Sequence, residues 1–170
     1  MTFTESVRAC LSKYVTFSGR AGRSEFWWFA AFFFGGAVVL SMIDAALFGT
    51  DHNAPEQVGI LAPIFQLAMF LPYLAAAWRR MHDTGGPGGY LLLPLAVSIA
   101  MYVFLFLGIF AFGAMETAGA DPDALRGPAA ILGLSGLMIA GVVQFILLIL
   151  LVYWLTRPSQ PDANEYGPPV

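Results

Sequence analysis

The chain has 170 residues, of which 58% are hydrophobic and 11% charged, and its net charge is −3. A soluble domain carries about 25% charged residues to build its polar exterior, so a water-soluble fold is excluded, and a mean hydropathy of +0.72 points to an integral membrane protein. The single cysteine, Cys10, excludes an internal disulfide.

Residues 2–17 place Phe3, Val7, Cys10, Leu11 and Tyr14 at helical spacing, with Glu5, Arg8, Ser12 and Lys13 mostly elsewhere. Thr2 followed by Glu5 fits a capping box. An amphipathic helix lying flat at the membrane interface is expected. A short helix packed on the ends of a membrane bundle fits the same pattern. Gly19 and Gly22 then break the helix, Ser24 offers an N-cap for the next one, and Trp27 and Trp28 suit the headgroup level.

The first long apolar run, residues 26–48, starts too late and runs too long for a cleavable leader, and reads as a signal-anchor span. Its length suits a hydrocarbon core of about 30 Å. Asp44, near its far end, either marks a pathway or reaches interfacial water. Gly49 to Gln57 form a polar loop without Lys or Arg. The second span, 58–78, contains Pro63 and Pro72, each expected to remove a backbone bond and kink the helix.

Trp78 to Gly89 form a polar island with a glycine-rich turn that cannot continue a helix. The third span, 90–115, has Pro94 in its first turns. An outer loop, 116–128, sets Glu116, Asp121 and Asp123 against Arg126. The fourth span, 129–155, carries Gly133, Ser135, Gly136, Ala140 and Gly141, small residues that let helices approach closely. The tail, 156–170, is polar, proline-rich and irregular. The expected fold is a single all-α membrane domain with four transmembrane helices.

Arg8, Lys13, Arg20, Arg23, Arg79, Arg80 and Arg157 fall on one side of these spans, which is seven of the eight basic residues, and only Arg126 falls on the other. The positive-inside rule puts both termini and the island in the cytoplasm.

Three cytoplasmic stretches stand together: Phe17-Ser18-Gly19-Arg20-Ala21-Gly22-Arg23-Ser24-Glu25-Phe26-Trp27, Arg79-Arg80-Met81-His82-Asp83-Thr84-Gly85, and Asn164-Glu165-Tyr166-Gly167-Pro168. In this order they resemble domain-of-unknown-function family 805, a family of small bacterial inner-membrane proteins. The resemblance spans nearly the whole chain. It implies a four-helix inner-membrane protein and brings no activity, cofactor or catalytic residue with it. After Gly85 the family usually has Arg-Ser-Gly followed by aromatics, where this chain has Gly86-Pro87-Gly88-Gly89-Tyr90. A contact made by that arginine therefore has no counterpart here.

Asp83-Thr84-Gly85 matches the aspartic-protease triplet, but those enzymes set two aspartates face to face. His52 and His82 fall on opposite sides of the membrane, so no zinc-type ligand set is expected. No phosphate-binding loop or serine-nucleophile pattern is present, nor a basic face for nucleic acid. Neither catalysis nor a cofactor is expected. What remains is a cytoplasmic cluster of Arg20, Arg23, Glu25, Arg79, Arg80, His82 and Asp83, with Asn164 and Tyr166 from the tail.

In the plainer reading Glu25 pairs with an arginine, Asp83 caps the turn or holds His82, and the remaining arginines meet lipid phosphates. In the sharper one the cluster recognises an anionic lipid headgroup or an acidic segment of a partner. Its basis is the Arg79-Arg80 pair beside a titratable His82, on a glycine-rich turn that exposes backbone N–H groups. The expected partners are membrane lipids, with a second copy or an unidentified membrane protein as further candidates. The alternative is a small oligomeric transporter or channel subunit, using Asp44, the kinked second span and Gln144.

Overall fold

A computed structural model describes residues 1–48, 59–119 and 121–169. The polar loop read at Gly49 to Gln57, with His52, lies outside the described residues. Five α-helices appear among them: α1 (Phe3–Ser12), α2 (Arg23–Phe48), α3 (Leu61–Asp83), α4 (Leu93–Thr117) and α5 (Pro122–Thr156). A 3₁₀ turn, Gly88–Leu92, leads into α4. Four segments are long and apolar enough to cross a membrane: Arg23–Phe48, Leu61–Asp83, Gly88–Thr117 and Ile131–Thr156. The four expected spans are therefore present, and two boundaries move by five residues or more. α3 runs on to Asp83, so that the first half of the polar island is helical. α5 begins at Pro122, so that most of the outer loop expected at 116–128 is helix.

The chain divides into two compact units, Met1–Gly88 with Trp154–Val170, and Gly89–Tyr153. In the first, α2 packs on α3 through an aromatic seam. Phe33 stacks on Tyr73 with centroids 4.9 Å apart, and Phe32 meets Phe65 edge-on at 5.7 Å. Such pairs contribute about 0.5–1.5 kcal/mol beyond the area they bury. Ala75, Ala76 and Ala77 are buried on α3, where small side chains permit close approach.

In the second unit, Gln144 of α5 donates to Ser98 of α4 at 3.4 Å, and the Phe104 ring lies against Gly136. No residue of Gly89–Tyr153 whose exposure is described is fully buried.

α1 has the expected capping box: the Thr2 side chain accepts from the Glu5 amide, and the Thr2 amide donates to Glu5 Oε2 at 2.9 Å. Its buried residues are Ser6 and Cys10. The Ser6 hydroxyl lies 3.3 Å from the Ser24 carbonyl, and Phe3 meets Trp28 edge-on at 5.9 Å. α1 therefore packs on α2. Ser24 does not cap α2 as expected: the helix starts at Arg23, and the Phe26 amide already reaches the Gly22 carbonyl.

α3 collects partners for backbone groups that it cannot satisfy alone. Its first two amides, of Leu61 and Ala62, donate to the Asp44 carboxylate of α2 at 3.1 and 2.8 Å. Asp44 is buried and acts as an N-cap supplied from another helix, so it does not simply reach water. Gly59 makes room for it, because a Cβ there would fall 2.5 Å from the Asp44 Cβ. Pro63 lies in the first turn, where the missing N–H has no partner to lose. Pro72 does leave a carbonyl free, that of Ala68 four residues earlier, and the Tyr14 hydroxyl donates to it.

Asp44→Ala is expected to cost about 1–2 kcal/mol as a lost cap, and Tyr14→Phe about 1 kcal/mol as a lost hydrogen bond. Reversible unfolding in mixed micelles reads both. Equal stability of Tyr14→Phe and the parent protein would show that the Ala68 carbonyl gains nothing from Tyr14.

Candidate functional site

The cluster read from the sequence is assembled in the first unit, apart from one member. Arg79, Arg80 and Asp83 are at most 1% exposed, and Arg20, Glu25 and His82 are also buried. Arg23 lies exposed at the start of α2 and makes no ion pair among the described residues. α3 positions four members: Arg79, Arg80, His82 and Asp83 occupy its last turns, where a cation also suits the helix dipole. Thr84 then ends the helix, and Gly85 takes φ +80. The Gly86 amide returns to the Met81 carbonyl at 3.0 Å and the Gly85 amide to that of His82 at 3.1 Å, a Schellman stop. The turn expected to expose backbone N–H groups thus uses those of Gly85 and Gly86 to close its own helix.

The charges fall into two groups, each with one carboxylate and two cations. In the first, Glu25 takes Arg79 at 3.2 Å and Lys13 at 3.8 Å. Arg79 also donates to the carbonyls of Thr16, at 2.9 Å, and Lys13, at 3.3 Å, which ties down the chain that leaves α1. In the second, Asp83 takes Arg20 at 2.9 Å and, on its other oxygen, Arg80. Buried charges are tolerated when they are paired and hydrogen-bonded, and removing one partner leaves the other uncompensated.

The chain beyond the last span completes the second group. Arg20 donates to the carbonyls of Gln160 at 2.6 Å, Asp162 at 2.9 Å and Gly167 at 3.4 Å. Arg80 donates to those of Leu155, at 3.0 Å, and Arg157, and to the Ser159 hydroxyl at 3.2 Å, which itself donates to Asp83. The Gln160 amide reaches the Asp83 carbonyl at 3.0 Å. A Cβ on Gly85 would fall 2.2 Å from the end of the Gln160 side chain, which is exposed and can swing aside, so it is the positive φ that calls for glycine here.

His82 donates through Nδ1 to the Gly19 carbonyl at 3.1 Å, which fixes its tautomer when neutral. Tyr166 stacks flat on its ring, with centroids 3.7 Å apart and planes within 3°. Asn164 orients that tyrosine: its side-chain oxygen accepts from the Tyr166 amide at 3.0 Å, and its Nδ2 donates to the His82 carbonyl at 2.9 Å. Asp83 therefore holds two arginines rather than capping the turn or holding His82. Sequence reasoning missed Ser159, Gln160, Cys10 and the accepting carbonyls. Main-chain acceptors carry no residue signature.

Cys10 lies 3.9 Å from Glu25 Oε1. Burial pushes its thiol from the usual 9.0 up to about 12, the neighbouring Glu25 adds to this, and Arg79 and Lys13 oppose it. The folded chain thus holds the thiol proton more tightly than the unfolded one does. That contribution to stability is complete below pH 9 and is lost as pH rises from about 9 to about 12. Among the described residues no three His, Cys, Asp or Glu side chains converge as metal ligands.

Asp83→Ala is expected to cost about 3–5 kcal/mol, because it strands Arg20 and Arg80. At pH 8 the folded protein is expected to leave Cys10 unlabelled by maleimide, since about 10⁻⁴ of the thiol is ionised. Unfolding in denaturant should restore the labelling. Labelling of folded protein as fast as free cysteine would contradict the burial.

Residues 14–121 match the family model described as "Protein of unknown function (DUF805)". The inner membrane protein YhaI of Escherichia coli strain K12 is 38% identical over 95 residues, which cover 56% of this chain and 75% of YhaI. The inner membrane protein YhaH of the same strain is 36% identical over 95 residues, covering 56% of this chain and 76% of YhaH. No solved structure matches.

Proposed function

Because the chain belongs to the DUF805 family of multi-pass inner-membrane proteins of unknown function, we propose that it is a non-catalytic binding component that engages anionic lipid at the cytoplasmic interface. The buried ionic cluster holds α1, the chain after it, the end of α3 and the tail as one face. Exposed basic residues of that face meet the headgroups.

The orientation of α1 carries this reading. The helix turns Ser6 and Cys10 inward, toward the charges, and leaves Leu11 exposed, with Val15 beyond its end, while Phe3 stays partly exposed although its ring meets Trp28 and Phe32. Exposed apolar side chains of this kind are ill suited to water. Apolar side chains facing out beside Arg8, next to the exposed Trp27 and Trp28, suit the headgroup boundary, where apolar burial and basic charge act together. The excess of basic residues on this side supports a cytoplasmic placement of both termini. Arg20, Glu25, Arg79, Arg80, His82, Asp83, Asn164 and Tyr166 then act as the frame, and Arg23 as a contact. With its carboxylate engaged in capping α3, Asp44 gives a transport pathway no support.

Native mass spectrometry from nanodiscs tests the reading. Phosphatidylglycerol adducts are expected on the parent protein. They should weaken about fivefold for each of Arg8→Gln and Arg23→Gln, since each juxtamembrane cation contributes about 1 kcal/mol. Adducts indifferent to both changes, or equal with phosphatidylcholine, would refute it. A protein adduct in place of lipid would make the face a docking site for a partner.

A further inference from the structure

The tail covers Arg20, Arg80 and Asp83 but is itself poorly covered. No described residue of 157–169 is buried, yet the three charged groups beneath are at most 5% exposed. Two buried guanidinium groups share one buried carboxylate there, and the tail's own acids, Asp162 and Glu165, are exposed and form no ion pair with either among the described residues. The donors not spent on Asp83 end on neutral oxygens: the Gln160, Asp162 and Gly167 carbonyls for Arg20, and the Leu155 and Arg157 carbonyls and the Ser159 hydroxyl for Arg80. Both guanidinium groups are also anchored on Asp83, through contacts that the tail does not make.

Guanidinium donors make their strongest contacts with oxyanions, where charge attraction and bidentate geometry add to the hydrogen bond. The tail oxygens are neutral acceptors, the weaker class for two buried guanidinium groups that share one carboxylate. The tail stays down through polar bonds and one ring stack, Tyr166 on His82. A segment with solvent-exposed hydrogen bonds and few buried apolar contacts opens far more readily than the core.

We propose that residues 158–167 are a removable cover whose oxygens occupy an oxyanion site built by Arg20, with one donor of Arg80 beside it, and that a phosphate group takes their place when the cover lifts. Lifting it frees the Arg20 donors held by Gln160, Asp162 and Gly167 and the Arg80 donor held by Ser159, while the Leu155 and Arg157 carbonyls keep the rest of Arg80 in place. The planar fork of Arg20 suits the several oxygens of a phosphate better than a point charge would. The phosphate can be a lipid headgroup, which rests on the interfacial reading above, or free in solution. The cover makes the site conditional. Its affinity is scaled by the fraction of molecules with the tail lifted, so loosening the tail tightens binding without changing the site.

The experiment uses the full chain in phosphatidylcholine nanodiscs, titrated in one arm with short-chain phosphatidylglycerol and in the other with inorganic phosphate. Native mass spectrometry reads the adducts. Tyr166→Ala, Asn164→Ala and a chain ending at Arg157 loosen or remove the cover. At least tenfold tighter binding than the parent protein is expected in one or both arms, with the gain abolished when Arg20→Gln is added. Arg20→Lys should restore only part of it, because charge returns without the fork. A gain with phosphatidylglycerol alone assigns a headgroup site, and a gain in both arms assigns a general phosphate site.

The adducts that depend on Arg8 and Arg23 should persist in Arg20→Gln, so the interfacial reading and this one fail separately. Cover variants that keep the parent's circular dichroism yet bind no tighter would overturn the proposal, as would a gain indifferent to Arg20. If the shortened chain does not fold, Tyr166→Ala decides.

Discussion

Asp83 sits where three distant stretches of chain meet, and its two oxygens are divided between them. Arg20 comes from the chain between α1 and α2, Arg80 from the same helical turn, and Ser159 from beyond the last span. Glu25 likewise holds Lys13 and Arg79, both on Oε1. A desolvated carboxylate is costly alone and tolerable between two guanidinium groups. Each of these contacts therefore depends on the others being made. The Schellman stop that ends α3, with Gly85 at positive φ, brings the chain round at the same junction.

Within the membrane the same accounting applies to the backbone. α3 is satisfied at its start by Asp44 of α2, at its middle by Tyr14 reaching the carbonyl that Pro72 leaves free, and at its end by its own turn. Hydrocarbon offers no water for such groups, so each must find a partner in the protein. Two residues that look out of place in an apolar sequence, an acid within a span and a proline within a helix, are each matched to a specific neighbour.

The four spans were legible because apolar runs of this length are matched to the thickness of a bilayer and ill suited to a water-facing helix. The family resemblance was legible in three short motifs, and the ionic cluster as a set of members. What could not be read was its interior character. The polar island looked like an exposed loop because Arg, His and Asp usually face water. The chain after α1 closes over Arg79, and the tail, dozens of residues later, over Arg80, His82 and Asp83. The helical start of α5 was hidden for a similar reason, since Pro122, Asp123 and Gly127 read locally as a loop. α1 showed its period and part of its inward face, since Cys10 is buried and Tyr14 reaches Ala68, but the face is shifted toward the hydroxyl of Ser6 and leaves Leu11 exposed.

The tail's place after the last membrane helix has a consequence for biogenesis. Ser159 is 76 residues beyond Asp83. At translation rates of about 5–20 residues per second, Asp83 and its arginines wait roughly 4–15 s for their final partners. During that interval the nascent chain carries charges at the membrane surface that the finished protein conceals. A chain whose last helices failed to insert with the right polarity would leave the tail across the membrane from them, and the charges would stay open. Closure over Asp83 is thus a signature of correct topology written into the protein itself, one that membrane quality control could read as the presence or absence of exposed charge.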